Sequence, residues 1–232
     1  MKDIPIAGVR NFALMGHTGS GKTSLLDVML HILGTNDRIG SVDDKTSMAD
    51  WTPEEQEHEI SIFAKPFDGV YTAASGKQRR FVVTDTPGYA DFIGQVISSA
   101  ETSDAALLVI DAVSGIQVGT NRAWKICEQR DLPRGIVING LDKDDADFKK
   151  VLAAVTEQWG DSRCVPVVLP TADGTECDLL NTATDQVPAE LADQVKEIKD
   201  HLIELAAETD DALMEKYFEG EELTADEFSD GL

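Results

Sequence analysis

At 232 residues and a formal net charge of −23, the chain is long enough for one α/β domain with a full core, or for one domain with a small appendage. That charge excludes nucleic-acid binding by counterion release from a free surface; it suits a basic protein partner, and it also serves plain solubility. No apolar run reaches the roughly 18 residues of a membrane span, and the N-terminus lacks an apolar signal core, so a cytoplasmic protein is expected. Cys127, Cys164 and Cys177 are odd in number and show no CxxC spacing, which points to reduced thiols rather than a disulfide framework or a zinc site.

In chain order, Val9–Met15 reads as a buried strand that runs into a glycine-rich loop, and Ser24–Leu33 as the helix after it. Thr35–Glu59 is polar and weakly periodic and is expected to be a long mobile loop. Ile60–Phe67 and Arg80–Thr84 are strand-like around a Gly76 connection, which predicts an antiparallel pair. Ala105–Asp111 is a strand buried on both faces, Gln117–Arg130 a helix, Arg134–Asn139 a buried strand, Asp147–Trp159 a helix and Val165–Leu169 a further strand. Such alternation predicts an α/β fold with a mainly parallel, doubly wound sheet, one strand antiparallel, and ligands at the carboxyl ends of the strands. From Pro188, apolar residues at Leu191, Val195, Ile198, Leu202 and Leu205 mark an amphipathic helix. Asp210–Phe218 reads as a shorter helix closed by Gly220, and Thr224 with Glu227 as the capping box of a third.

The loop Gly16-His17-Thr18-Gly19-Ser20-Gly21-Lys22-Thr23, followed by Ser24, fits GxxxxGK[ST]. Its glycines let successive N–H groups turn inward onto phosphate oxygens, and the next helix adds its positive N-terminal end. Lys22 supplies charge to the β- and γ-phosphates, and the Thr23 hydroxyl is a Mg²⁺ ligand. The loop therefore predicts a bound nucleoside triphosphate. Asp85-Thr86-Pro87-Gly88 closes the second antiparallel strand, where Asp85 can hold a water on Mg²⁺ and the Gly88 N–H can bond the γ-phosphate. Asn139-Gly140-Leu141-Asp142 closes another strand; a carboxylate at Asp142 matches the two donors of the guanine edge, which adenine lacks. That box argues against the competing class, a P-loop ATPase or small-molecule kinase. Ser61 is a candidate for the Mg²⁺ shell, or equally a plain strand residue. His17 is read as packing within the loop, and Trp51, Trp124 and Trp159 as core or helix-face residues.

Together, GHTGSGKT, DWTPEEQEHEISI, DTPGYADF, LLVIDAVSGIQVGT, the NxxD box and ETDDALMEKYFEGEELT resemble the G domain of a translational GTPase, specifically elongation factor G and its EF-G-like paralogues. The resemblance implies a Ras-like P-loop fold in residues 1–170 and the start of a helical G′ insertion in residues 171–232. It implies binding of GTP and GDP with Mg²⁺, with Thr23 and Ser61 on the metal and Asp85 acting through water. Asn139 and Asp142 would read guanine. It also implies ribosome-coupled GTP hydrolysis by a longer parent acting as a monomer, and contact of the acidic G′ helices with the ribosomal stalk protein.

This sequence departs from the family pattern at several places. Tyr89 stands where elongation factor G has the histidine that orients the attacking water; with Gly88 and Lys22 it makes up the candidate catalytic residues. His58-Glu59-Ile60-Ser61-Ile62 keeps the hydroxyl of the first switch but not its arginine and glycine. Gly140 replaces the lysine of NKxD, and Gly19 replaces an aspartate, as in the EF-G-like branch. The family's fifth nucleotide box is expected beyond Leu232, so the chain is expected to be a fragment ending inside G′. Weak intrinsic hydrolysis follows from these departures; the alternative is a guanine-nucleotide switch that has lost useful hydrolysis.

Overall fold

The computed structural model describes residues 4–73, 76–160, 164–171, 175–180, 187–188 and 191–219. They form two compact units, with the boundary between Ala154 and Val155.

The first unit is built on a five-stranded sheet of order β2-β3-β1-β4-β5. Its strands are β1 (Val9–Gly16), β2 (Lys65–Thr72), β3 (Gln78–Asp85), β4 (Ala105–Asp111) and β5 (Arg134–Asn139). β2 runs antiparallel to β3, and every other pairing is parallel. The helices are α1 (Lys22–Ile32), α2 (Pro53–His58), α3 (Ile93–Thr102), α4 (Val118–Gln129) and α5 (Phe148–Trp159), the last carrying the unit boundary. This is the P-loop α/β fold that the alternation of elements implied.

β1 organises both layers because successive side chains of a strand point to opposite faces. Leu14 packs with Leu26 and Leu30 of α1 and Val83 of β3. Its neighbour Met15 faces the other way, with its sulfur 3.9 Å from the Cys127 thiol of α4. All of these side chains except Val83, at 1 %, have no exposed surface, and burying each leucine is worth about 1.5–3 kcal/mol.

Four expectations from the sequence need correction. The strand expected over Ile60–Phe67 begins only at Lys65, because the Ile62 and Phe63 N–H groups donate to the Glu55 carboxylate instead of to a ladder. Pro66 is tolerated in β2 because this is an edge strand. The segment Thr35–Glu59 is not a featureless loop. Ala49 is part of the core cluster around Leu14, and Thr52-Pro53-Glu54-Glu55 forms a complete capping box with proline at the first helical position, opening α2. Finally, the strand expected over Val165–Leu169 is reduced to β6 (Val168–Pro170), which pairs antiparallel with β7 (Glu176–Asp178) in a separate two-stranded sheet. α3 was not anticipated at all. Trp51 is exposed in the loop before α2 with the Lys65 ammonium 5.7 Å from its ring, so it is neither core nor helix face, whereas Trp124 is buried and stacked under Arg134.

The second unit contains β6, β7, α6 (Ala192–Ala207) and α7 (Asp211–Glu219). Val195, Leu202 and Ala206 form the buried stripe of α6. Gly220, Thr224 and Glu227 lie outside the described residues. Among the described residues no helix is long and apolar enough to cross a membrane.

The α2 cap gives a direct test. Thr52 Oγ1 accepts from the Glu55 N–H at 3.3 Å and donates to Glu55 Oε2 at 2.8 Å. Thr52→Ala should lower stability by about 0.5–2 kcal/mol, read as a lower urea midpoint with unchanged slope.

Candidate nucleotide-binding site

The carboxyl ends of four adjacent strands carry Gly16 (β1), Asp85 (β3), Asp111 (β4) and Asn139 (β5). At this edge of an open α/β sheet, the connections part and leave a crevice.

The Gly16–Thr23 loop is held from both sides. Its own Ser20 hydroxyl and Lys22 ammonium both donate to the His17 carbonyl, at 2.9 and 2.7 Å. From α4, the Gly119 N–H donates to His17 Nδ1 at 3.2 Å, which fixes the ring as the neutral Nε2–H tautomer. Burial and the nearby Lys22 and Arg122 charges push the His17 pKa down, in keeping with that role. From β5, Asn139 Nδ2 donates to the Ser20 carbonyl at 3.0 Å. Gly21, which caps α1, has φ +84°, and a Cβ there would lie 2.1 Å from Asn139 Nδ2, so only glycine fits. Ser24, the third residue of α1, directly follows Lys22 and Thr23 at the helix N-terminus. Gly88 rests on the Thr18 backbone, and Tyr89, 41 % exposed, opens the short turn Ala90–Phe92 beside it. Thr18 and Gly19 form the outer rim of the loop, where an added Cβ at Gly19 meets nothing.

Three oxygen groups converge next to this loop. Thr23 Oγ1 donates to Asp85 Oδ2 at 3.0 Å, and Ser61 Oγ lies 3.1 Å from Thr23 Oγ1 and 3.4 Å from Asp85 Oδ2. Asp85 is 1 % exposed, and its other oxygen, Oδ1, has no hydrogen-bond partner among the described residues. Two hydroxyls and a carboxylate with a free oxygen fit a hard divalent cation such as Mg²⁺. The electrostatics ask for the same pair of ligands. Burial pulls the Lys22 pKa down to about 8, against the opposing charges of Asp85 and Asp50. Burial likewise pushes Asp85 up to about 6, against Lys22 and the Thr23 hydrogen bond. A triphosphate beside Lys22 and a cation beside Asp85 would each restore the charged form.

Asp142 is exposed. Lys143, the residue after it, folds back so that its ammonium pairs with Asp111 Oδ2, whose other oxygen accepts from the Val113 and Ser114 N–H groups at 3.2 and 2.9 Å. Burial works against the Asp111 charge, yet the Lys143 ammonium and the Ser114 bonds hold its pKa below the ordinary carboxylate value. Gly140 has φ +76°, and a Cβ there would come within 3.1–3.3 Å of the Lys143 side chain and Asp111. The sequence reading also missed Asp50, Glu55 and Lys65, all buried behind Ser61. The Thr52–Glu55 capping pattern was the available signal for Glu55; nothing local marked Lys65.

A glycine-rich loop between a parallel strand and a helix, with lysine and threonine at its end, defines a P-loop nucleotide-binding domain. Residues 7–224 match the elongation factor Tu GTP binding domain family, and the chain belongs to that family of translational GTPase domains. A crystal structure of a protein from Thermus thermophilus is 33 % identical with a TM-score of 0.85, over 97 % of this chain and 35 % of that one. The present chain thus spans about a third of that relative's length.

The raised pKa of Asp85 has a sign that can be tested in nucleotide- and metal-free protein. Its favourable contribution is complete below the ordinary value of 3.8 and is lost as pH rises through about 6. Relative to the unaltered chain, Asp85→Asn should therefore gain stability between about pH 4 and 6, by up to about 3 kcal/mol. Urea unfolding of both proteins across that range gives the difference.

Proposed function

We propose that this chain is the GTP-binding domain of an elongation factor G-like translational GTPase, which binds GTP and GDP with Mg²⁺ and hydrolyses GTP slowly in a ribosome-coupled step. The observation that carries the nucleotide reading is the meeting of Thr23, Ser61 and Asp85 beside the buried Lys22. The EF-G-like reading is supported by the segments DWTPEEQEHEISI and DTPGYADF and by Gly19 in the phosphate loop.

On this reading Gly16 to Ser24 wrap the β- and γ-phosphates with backbone N–H groups, and Lys22 exchanges its bond to the His17 carbonyl for phosphate oxygens. Thr23 and Ser61 would hold Mg²⁺, with Asp85 acting through water, and the ion would supply neutralisation of the charge on the transferred phosphoryl group. The Gly88 N–H bonds the γ-phosphate. Asn139 keeps the loop in register with the base through Ser20, and Asp142 accepts two hydrogen bonds from guanine. Tyr89 stands beside Gly88, where it can hydrogen-bond the attacking water but cannot take up a proton as an imidazole does, hence the slow rate. The acidic helices α6 and α7 lie in the proposed G′ portion, 171–232, and suit a basic partner such as the ribosomal stalk protein. The same departure at Tyr89, with His58 and Glu59, favours as second reading a switch without useful hydrolysis.

Asp142 and Tyr89 each give a measurement. Asp142→Asn should weaken GTP binding by about 10²-fold or more and remove the preference over ATP, because the two guanine donors lose their acceptor. Equal affinity of the unaltered chain for GTP and ATP would overturn the guanine reading. Tyr89→His should raise single-turnover GTP hydrolysis by about 10²-fold, within the range of a positioned general base. An unchanged rate would move the cause of slow hydrolysis away from this residue.

A further inference from the structure

Segment 47–65 carries a chain of buried polar groups that the nucleotide reading does not use. Ser47, Asp50, Glu55 and Lys65 are all 9 % exposed or less, and Glu55 has no exposed surface. A fully buried carboxylate is unfavourable unless its lone pairs are satisfied. Those of Glu55 are satisfied by five donors. Oε2 accepts from the Thr52 hydroxyl at 2.8 Å, the Thr52 N–H at 3.4 Å and the Lys65 ammonium; Oε1 accepts from the N–H groups of Ile62 at 3.0 Å and Phe63 at 3.3 Å.

The Thr52 bonds belong to the capping of α2. The bonds to Ile62 and Phe63 do not: they fix the backbone immediately after Ser61, which is drawn to 3.1 Å from Thr23 Oγ1 and 3.4 Å from Asp85 Oδ2. Lys65 extends the connection. It stands opposite Asp85 in the β2–β3 register, donates to the Ala49 carbonyl and lies 4.0 Å from Asp50. One carboxylate thus links the turn bearing Ser61 to the strand pair bearing Asp85.

We infer that Glu55 is a positioning residue for Ser61: by holding the Ile62 and Phe63 N–H groups and pairing with Lys65, it sets the Ser61 hydroxyl against Thr23 and Asp85. The inference rests on the reading of Ser61 as a Mg²⁺ ligand in the GTP-bound protein. The side-chain hydrogen bonds of Glu55 go to Thr52, Ile62, Phe63 and Lys65 rather than to Thr23, Ser61 or Asp85, so its effect travels through that turn.

The test uses the full chain and four variants: Ser61→Ala, Glu55→Gln, their combination, and Glu55→Met with Lys65→Met. The last replaces a buried ion pair by apolar side chains of similar volume, a change that folds tolerate well. GTP affinity is measured by calorimetry in excess Mg²⁺, and GDP affinity in excess chelator. Ser61→Ala should weaken Mg²⁺–GTP binding about tenfold, the loss of one charge-assisted contact. Glu55→Gln and the Met pair should weaken it to a similar degree while changing chelator–GDP binding less than about twofold. Glu55→Gln combined with Ser61→Ala should bind no more weakly than Ser61→Ala alone, because the two residues act through one contact. In nucleotide-free protein, amide exchange at Ile62 and Phe63 should accelerate about tenfold or more in both Glu55 variants. If Ser61→Ala weakens binding but the Glu55 variants do not, or the losses multiply, the inference is overturned and the Mg²⁺ reading stands. If Ser61→Ala changes nothing, the Mg²⁺ reading of Ser61 fails and takes the inference with it. Loss of the folded state in the Met pair, seen by circular dichroism, also overturns it, because Glu55 would then support the whole domain.

Discussion

Two buried groups of opposite charge, Lys22 opening α1 and Asp85 closing β3, stand at the carboxyl edge of the sheet, and burial draws both toward their neutral forms. Their mutual attraction offsets that only in part. Such a pair is stable only where the surrounding groups hold it in place and satisfy what is left over. Much of the first unit does this. The His17 carbonyl takes the Lys22 ammonium, Gly119 fixes His17, Asn139 fixes the next turn of the loop, and Thr23 donates to Asp85. The close-packed faces of β1, one against α1 and one against α4, keep these anchors at hydrogen-bonding distance.

The same constraint reaches into the segment between α1 and β2. Asp27 of α1, fully buried, accepts from the Met48 N–H at 3.0 Å, and Ala49 fills the core beside Leu14 and Leu26. Burial pushes the Asp50 pKa up, countered by Ser61 and Lys65. The chain that delivers Ser61 is therefore continuous with the core, and a change in the charge balance at the loop has a physical route to it.

The parts legible in the sequence were those governed by local rules. β4 and β5 were read to the residue because a short apolar run bounded by polar turns has few other uses in an α/β chain. The phosphate loop and the boxes at Asp85 and Asn139 were found because their spacing encodes backbone geometry. The failures share another cause. Ile60–Phe63 has the composition of a strand, but a buried side chain seven or eight residues earlier claims its N–H groups. α3 carries a weak local signal: it follows directly on DTPGYADF, and its buried stripe is the short, partly polar set Val96, Ser99 and Ala100. Val165–Leu169 is apolar enough for a central strand, yet its partner is the short Glu176–Asp178. At Ile60–Phe63 and Val165–Leu169 tertiary pairing overrode a plausible local preference.

The close approach of Gly140 to Lys143 couples the two positions physically. A lysine introduced at 140 would bring a Cβ into the space that the Lys143 stem and Asp111 already occupy, at a backbone angle that side chains disfavour. Two cations would then compete for the single carboxylate of Asp111. A side chain at 140 is thus strained by the backbone angle, and the end of Lys143 has to shift by a few tenths of an ångström to admit it.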